Sequence, residues 1–251
     1  MALRDILKMS QGRITPDVSG LLLRTQGDIR AVKDTTINQV TRLIISSGHD
    51  PKDRSGAWHP SQLAKCLRKQ TFEFWGVPGA YKASARMANL YADGHWRHLR
   101  WQVLLLEAGV VDSIEVPVEM TEYNVRGSMD AEAEDFFVEI KGTRFISDVR
   151  KGPMDEHIDQ VHGYFLATGH TQCIMIYEDK QSQEFVELVV DRDDHKVDEL
   201  EDRLQYLNDM MFARQLPDPL SPDSEDCKWC VYSSFCRDVE SVEQAVNVRI
   251  P

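Results

Sequence analysis

The segment CKWCVYSSFC, which runs from Cys227 to Cys236, places three cysteines within ten residues. A tetrahedral metal site uses four protein ligands, so a site built on this segment needs one more. The two remaining cysteines, Cys66 and Cys173, are far away in sequence. If either one is the fourth ligand, the fold has to bring distant parts of the chain together.

The sequence favours Cys66 over Cys173 as that ligand. Cys173 opens the apolar run CIMIY, which is typical of a buried strand, where a free cysteine behaves as a small hydrophobic residue. Cys66 lies between Lys65 and Arg68, whose charges favour the thiolate form that a metal requires. We therefore predict that Cys66 joins the cysteines of the C-terminal segment, which are Cys227, Cys230 and Cys236.

The length and composition are those of an ordinary globular protein. The chain has 251 residues, of which 42% are apolar, and this length fits one or two domains. The first residues, MALRDILKMS, lack the apolar run of a signal peptide, and the longest nearly apolar stretch, VLLLEAGVV, is too short to span a membrane. We expect a cytoplasmic protein whose cysteines stay reduced.

The formal net charge of −12 is unevenly distributed. Residues 52–101 contain nine lysines and arginines against three acidic residues, a local net charge of +6. The aromatic residues of this segment are Trp58, Phe72, Phe74, Trp75, Tyr81, Tyr91, Trp96 and Trp101. Cations that pair with phosphates, interleaved with rings that stack on bases, indicate a surface for single-stranded nucleic acid. The alternative is a solvated helix face.

Apolar periodicity and turn signals predict an α/β protein with a mixed sheet. The predicted helices are one amphipathic segment in TTINQVTRLIISSG, residues 62–75 with Ser61 as N-cap, residues 84–108 before Gly109, residues 155–168 before Gly169, and a long segment from Val197 to Met211. The predicted strands are IEVPVEM, VRGSMDAEAED and FFVEIKG as an antiparallel meander, followed by CIMIYED and FVELVVD. Residues 1–57 are interpreted as an accessory arm.

Charged residues on the predicted strand FFVEIKG are the first candidates for metal-binding and catalytic residues. Glu139 and Lys141 are two residues apart, so both side chains leave the same face of the sheet. Their neighbours are apolar, which indicates an interior strand where charges are costly unless they are used. Asp130 on the preceding strand can lie beside them. Two carboxylates suit Mg²⁺ or Mn²⁺, and a lysine alongside can orient or deprotonate an attacking water.

Two predicted helices supply further candidates. The segment GHWRHLRWQ carries His95 and His98 about one turn apart, and either can be a metal ligand. The segment DQVHGYFLATG spaces Gln160 and Tyr164 at i and i+4, which places both on one helix face. Taken alone, a helix histidine or a polar stripe is more often structural.

Four short motifs follow one another in the chain. They are G-x-x-x-H from Gly94 to His98, G-x-x-D from Gly127 to Asp130, E-x-K from Glu139 to Lys141, and Q-x-x-x-Y from Gln160 to Tyr164. In this order they resemble the RecB-like branch of the PD-(D/E)XK nucleases. The segment HPSQLAKCLRKQTF and the C-x2-C-x5-C spacing further resemble its iron–sulfur members, which are the CRISPR-associated Cas-four exonucleases, phage exonucleases and the AddB nuclease domain. The resemblance covers residues 58–237, leaves 238–251 as a tail, and implies a restriction-endonuclease-like fold.

The resemblance also implies a role for each motif residue. The metal ligands would be His98, Asp130, Glu139 and the carbonyl of Ile140, for a Mn²⁺ or Mg²⁺ ion. Lys141 would activate water, while Gln160 and Tyr164 would position the substrate or the lysine. A [4Fe–4S] cluster would be held by Cys66, Cys227, Cys230 and Cys236. A histidine ligand favours Mn²⁺, because imidazole suits softer ions than Mg²⁺.

The implied activity is that of an exonuclease on single-stranded DNA ends, acting from 5′ to 3′ in a bacterial, archaeal or phage-infected cell. Two alternatives stay open at this point. One is a nucleic-acid binding module that has lost hydrolysis, and the other is a nuclease stabilised by zinc, because cysteine spacing does not separate zinc from iron and sulfur. A homo-oligomer, or a recombination or CRISPR protein as partner, is also open.

Overall fold

The structure is a computed structural model of the chain. It describes residues 12–25, 27–28, 31–46, 54–80, 84–238 and 242. Four members of the charged and aromatic segment lie outside the described residues, namely Lys52, Asp53, Tyr81 and Lys82, and so does most of the predicted tail. The boundaries predicted at residues 57 and 237 stay predictions.

Helices and strands follow one another in the order that the sequence predicts for the core. The helices are α1 (Thr15–Thr25), α2 (Asp34–Ser46), α3 (Leu67–Phe74), α4 (Ala85–Ala108), α5 (Ile146–Val149), α6 (Asp155–Thr168), α7 (Asp194–Phe212) and α8 (Glu225–Lys228). The strands are β1 (Ser113–Met120), β2 (Val125–Glu132), β3 (Phe137–Thr143), β4 (Gln172–Asp179) and β5 (Phe185–Asp191). Short 3-10 turns lie at Pro60–Gln62 and Thr121–Tyr123. The sequence did not predict α1, α5 or α8.

The strands form one mixed sheet in the order β1-β2-β3-β4-β5. The first three strands pair antiparallel as a meander, β3 pairs parallel with β4, and β5 pairs antiparallel with β4. A parallel pair needs a crossover connection, which α5 and α6 provide here. The mixed sheet confirms the predicted α/β fold class.

The two central strands are covered on both faces, which explains their nearly unbroken apolar sequences. On one face Phe137 of β3 packs with side chains of α6 and with Met175 of β4. On the other face Val138 and Ile140 pack with Trp101 of α4 and with α1. The polar residues of β3 are therefore exceptions inside a three-layer core.

Capping residues set the ends of two helices where the sequence predicts them. Helix α4 begins after Ser84, whose Oγ accepts a hydrogen bond from the Met87 N–H at 3.3 Å, and ends at Gly109, which has a φ of 72°. Helix α6 ends at Gly169, with a φ of 76°. Because glycine adopts these left-handed angles without a steric penalty, both stops are readable from sequence.

The predicted helix at 62–75 begins later than expected, which makes Ser61 wrong as its N-cap. The helix starts at Leu67 with Cys66 as N-cap. The preceding residues are pinned to β2, because the Trp58 N–H donates to the Asn124 carbonyl at 2.7 Å and the Arg126 N–H donates to the Trp58 carbonyl at 2.9 Å. The chain therefore turns before it can become helical.

Within the described ranges, no helix has the length and apolar character needed to cross a membrane.

Candidate active site

Three polar side chains meet beneath β3 on the face that carries α6. Lys141 Nζ donates to Glu139 Oε1 at 2.6 Å and to Gln160 Oε1 at 2.7 Å. Gln160 Nε2 also donates to Glu139 Oε1, at 2.8 Å. The i, i+2 spacing on the strand and the position of Gln160 on the helix thus place one carboxylate, one ammonium group and one amide in direct contact.

Asp130 of β2 and His98 of α4 complete the group of predicted residues. His98 Nδ1 lies 3.0 Å from Asp130 Oδ1, and Asp130 Oδ2 accepts a hydrogen bond from the Ile140 N–H at 2.6 Å. His95, the competing histidine, is exposed. The structure therefore brings His98, and not His95, to the carboxylates.

Tyr164 lies at the edge of this group, one helical turn after Gln160. Its hydroxyl donates to the Ser128 carbonyl at 2.7 Å and lies 3.4 Å from Gln160 Nε2, which donates to it. The phenol is buried and its hydroxyl is tied to β2. In this arrangement Tyr164 fixes α6 against the strand that carries Asp130.

Burial and mutual charge set the protonation states of the site. Burial, followed by the charge of Asp130, raises the pKa of Glu139 to about 7. For Lys141, burial lowers the pKa, but the carboxylates of Glu139 and Asp130 more than offset this and the pKa is raised. The pKa of His98 is also raised, because the Asp130 carboxylate outweighs the effect of burial. The carboxylate pair thus stabilises positive charge on its neighbours.

The donor set fits a divalent cation, although as the side chains stand no three His, Cys, Asp or Glu residues in the described ranges are arranged to hold one. Glu139 Oε1 is taken by Lys141 and Gln160. Glu139 Oε2 is buried and has no hydrogen-bond partner among the described residues. A buried carboxylate oxygen without a partner is costly, and oxygen ligands of this kind are those that Mg²⁺ and Mn²⁺ prefer.

A buried ion-pair group holds α4 over the sheet. Glu178 of β4 accepts hydrogen bonds from Arg97, from Arg100 and from Trp101 Nε1, the last at 2.6 Å. These three donors lie within about one turn of the helix, and their convergence on one carboxylate fixes the rotation of α4. This rotation is what directs His98 toward Asp130.

Sequence reasoning missed three polar residues next to Asp130. Gln102 Nε2 donates to Glu115 Oε1 at 2.9 Å and to the Asp130 carbonyl at 3.0 Å, and Ser128 Oγ donates to Glu115 Oε2 at 3.1 Å. Gln102 is the one amide within the apolar run WQVLLLEA and lies one turn beyond His98, which is a signal that could have been used. Glu115 gives no such signal, because IEVPVEM alternates like a strand with one face in solvent.

Glu115 also has a strained backbone. Its φ is 47°, although it lies inside β1. A glutamate held in the left-handed region costs about 1–3 kcal/mol and persists only where its surroundings hold it there. Since Ile114 pairs with Ala131 and Val116 with Met129, the strained residue lies opposite Asp130.

The four predicted cluster cysteines lie around a second site. A cavity of about 170 Å³ is lined by Cys66, Cys227, Cys230 and Cys236, with Lys69 and Phe72 among its other walls. Burial raises the pKa of Cys230, while the charge of Lys69 acts in the opposite direction. Cys173 is fully buried in β4, in the core against α6. The fold thus brings Cys66 to the C-terminal cysteines and keeps Cys173 away from them.

Contacts beneath this cavity join α3 and the residues after it to the C-terminal cysteine segment. The Tyr232 hydroxyl donates to the Val77 carbonyl at 3.1 Å, and the Ala80 N–H donates to the Val231 carbonyl at 2.8 Å. The ring of Tyr232 packs against Phe72 with 5.0 Å between centroids. These contacts involve no thiol, so the two segments that line the cavity are held together partly by hydrogen bonds and ring packing.

Three of the seven described aromatic residues of the charged segment are too buried to stack on bases, so the predicted surface for single-stranded nucleic acid loses part of its aromatic set. Trp58, Phe72 and Trp101 are at most 2% exposed and belong to the core. Tyr91 and Trp96, on the outer part of α4, are 56% and 69% exposed. An amphipathic helix with an aromatic inner face also interleaves aromatic residues with cations, which explains the buried Phe72 of α3 and Trp101 of α4.

Arg68 has a structural contact that its sequence context did not indicate. Its Nε donates to the Cys236 carbonyl at 3.0 Å and its Nη1 donates to the Pro217 carbonyl at 2.8 Å. The guanidinium therefore fastens the C-terminal segment to α3.

Replacing Arg68 by alanine should lower the free energy of unfolding by about 2 kcal/mol, because two hydrogen bonds from a charged donor are lost. A denaturant titration measures this, with Arg86→Ala on the exposed part of α4 as the control. An Arg68→Ala variant with unchanged stability but weaker binding to single-stranded DNA would instead place Arg68 in a nucleic-acid surface.

Comparisons with known proteins identify the class of fold. No known family profile and no curated protein matches the sequence. Solved structures with a similar fold include an alkaline exonuclease from Laribacter hongkongensis, which is 19% identical with a TM-score of 0.50 over 64% of this chain and 90% of its own. The same exonuclease in complex with dAMP gives a TM-score of 0.52 at 18% identity over the same shares.

The protein SSO0001 is also similar, at 18% identity and a TM-score of 0.51 over 82% of this chain and 96% of its own. At these identities the likeness establishes the fold. The chain therefore has a five-stranded mixed sheet flanked by helices, in the restriction-endonuclease-like arrangement that the sequence predicts.

Proposed function

We propose that this protein is a metal-dependent DNA exonuclease. The observation that carries the proposal is the meeting of Asp130, Glu139 and Lys141 on adjacent strands, with one buried oxygen of Glu139 left without a protein partner. Charged groups in a core are costly, and this group stabilises little of the fold by itself. Its arrangement suits phosphodiester hydrolysis, and a fold shared with an exonuclease agrees with that activity.

The ligands proposed for a divalent cation are His98, Asp130, Glu139 and the Ile140 carbonyl. Mn²⁺ is favoured over Mg²⁺ because one ligand is an imidazole. Such an ion, when bound, lowers the pKa of water and neutralises the charge that develops on the phosphate. Burial raises the pKa of Glu139 to about 7, and a carboxylic acid has to lose its proton to become a metal ligand.

The remaining residues act on the nucleophile and the substrate. The raised pKa of Lys141 keeps its ammonium group charged, so it orients an attacking water and attracts the scissile phosphate, and it does not act as a neutral base. Gln160 holds Lys141 through its Oε1. Tyr164 keeps α6 in place for this contact. These roles agree with the positioning function predicted for Gln160 and Tyr164.

The cysteine cavity is proposed to hold a [4Fe–4S] cluster through Cys66, Cys227, Cys230 and Cys236. Support comes from the four thiols around one cavity and from the fit of an all-cysteine donor set to iron and sulfur or to zinc. The cluster would tie α3 to the C-terminal segment and take no part in hydrolysis. Zinc in the same position is the competing assignment.

The substrate is proposed to be the end of single-stranded DNA, degraded from 5′ to 3′. Digestion of 5′-labelled and 3′-labelled DNA, single-stranded and double-stranded, in Mn²⁺, in Mg²⁺ and in chelator tests this. We expect early release of the 5′ label from single strands in Mn²⁺, slower release in Mg²⁺ and none in chelator. Tight DNA binding without release of either label would favour the binding module that has lost hydrolysis.

A further inference from the structure

Glu115 combines an unusual backbone conformation with side-chain contacts that lead to the proposed active site. Its φ of 47° is one that glutamate rarely adopts. The carboxylate accepts one hydrogen bond at each oxygen, from Gln102 Nε2 at 2.9 Å and from Ser128 Oγ at 3.1 Å. A strained residue persists where its surroundings over-determine it, and such residues cluster at functional sites.

The partner of Glu115 on α4 is shared with Asp130. Gln102 is 2% exposed and lies one helical turn after His98, on the same face of the helix. Its Nε2 donates to the Glu115 carboxylate and to the Asp130 carbonyl. One buried amide thus joins the helix that carries the histidine to both strands, β1 and β2.

The partner of Glu115 on β2 is connected to α6. Ser128 precedes Asp130 by two residues, and its carbonyl accepts the Tyr164 hydroxyl at 2.7 Å while its Oγ donates to Glu115. Glu115 therefore reaches Asp130 from two sides, through Gln102 and through Ser128. The chain of hydrogen bonds runs from α6 through β2 and β1 to α4.

We propose that Glu115 is a positioning residue that fixes Asp130 and His98 relative to each other in the geometry that holds a divalent cation. This rests on the proposed metal-dependent function. Groups that orient metal ligands without touching the metal typically contribute about 10–100-fold to metal affinity. The strained backbone is the conformation in which the carboxylate reaches both Gln102 and Ser128.

Mn²⁺ affinity of the full chain, measured by titration calorimetry without DNA, tests the proposal. Glu115→Ala and Glu115→Gly should both weaken Mn²⁺ binding by about 10–100-fold. Glu115→Gly should melt at a higher temperature than Glu115→Ala, because glycine adopts a positive φ freely. Glu115→Gln keeps an acceptor for Gln102 and should recover part of the affinity. Glu119→Ala, at an exposed position on the same strand, is the matched control and should bind Mn²⁺ like the wild type.

The comparison of the glycine and alanine variants separates positioning from a merely structural role. If Glu115→Gly regains wild-type Mn²⁺ affinity together with its stability, the side chain serves the fold alone and the proposal is wrong. If Glu115→Ala does not fold, the Mn²⁺ affinities and melting temperatures of Glu115→Gly and Glu115→Gln decide between a positioning role and a structural role. A wild-type chain that neither binds Mn²⁺ nor cuts DNA would overturn the proposed function, whereas equal affinities of wild type and variants would overturn this inference alone.

Discussion

Replacing Glu139 by alanine should reduce DNA cleavage by about a thousandfold or more while the protein stays folded. A metal ion at such a site contributes several kcal/mol to transition-state stabilisation, and each ~1.4 kcal/mol is tenfold in rate. The substitution removes a carboxylate that is buried with one oxygen unpaired, so folding loses little. Asp130→Ala should have the same effect, and Lys141→Ala should reduce cleavage with Mn²⁺ still bound.

Rates of label release from DNA, together with melting temperatures of the wild type and the three variants, test this expectation. Asp135→Ala is a suitable control, because Asp135 is an exposed acidic residue in the turn between β2 and β3, the strands that carry Asp130 and Glu139. DNA binding by the three variants should stay within a few-fold of wild type. Wild-type cleavage by any one of them would contradict its place in the active site.

Replacing Cys66 by serine should remove the brown colour that a [4Fe–4S] cluster would give the anaerobically purified protein, and should lower the melting temperature by about 10 °C or more. The energy of cluster binding is part of the energy of folding, and in a protein of this size 1 kcal/mol shifts the melting temperature by about 2–4 °C. Cys66 is the N-cap of α3 and lines the cavity with the three C-terminal cysteines. Without its thiol a cluster at this cavity would lose its link to α3.

Cys173→Ser is the internal control for this experiment. Cys173 is fully buried in β4 among apolar side chains, so serine there should cost some stability but keep the colour. A colourless wild-type protein with bound zinc would replace the iron–sulfur assignment by the zinc one. Loss of colour in Cys173→Ser with retention in Cys66→Ser would reverse the ligand assignment.

The sequence predicts the parts of this fold that local chemistry decides. Gly109 and Gly169 end helices where their backbone freedom predicts it. The predicted start of α3 was wrong. Hydrogen bonds between Trp58 and β2 hold the preceding chain in a turn, so the helix begins later. Such long-range contacts leave no periodic pattern in the sequence.

The same distinction holds for the candidate site. The residues on fixed spacings, Glu139 with Lys141 and Gln160 with Tyr164, are brought together as their periodicity predicts. Glu115 was missed because its role depends on a positive φ and on contacts with α4 and β2, neither of which a strand-like alternation encodes. The burial of Trp101 was missed because composition does not tell which face of a helix is covered, and the burial of Trp58 was missed because it depends on long-range hydrogen bonds to Asn124 and Arg126.

The most direct test of the metal-dependent site is a Mn²⁺ titration of the chelator-treated wild type and of Glu139→Ala. The carboxylates, the nearby imidazole of His98 and the unpaired Glu139 oxygen predict saturable binding by the wild type. They also predict loss of that binding in the variant. Equal binding by both proteins, or none by the wild type, would contradict a metal site at these residues.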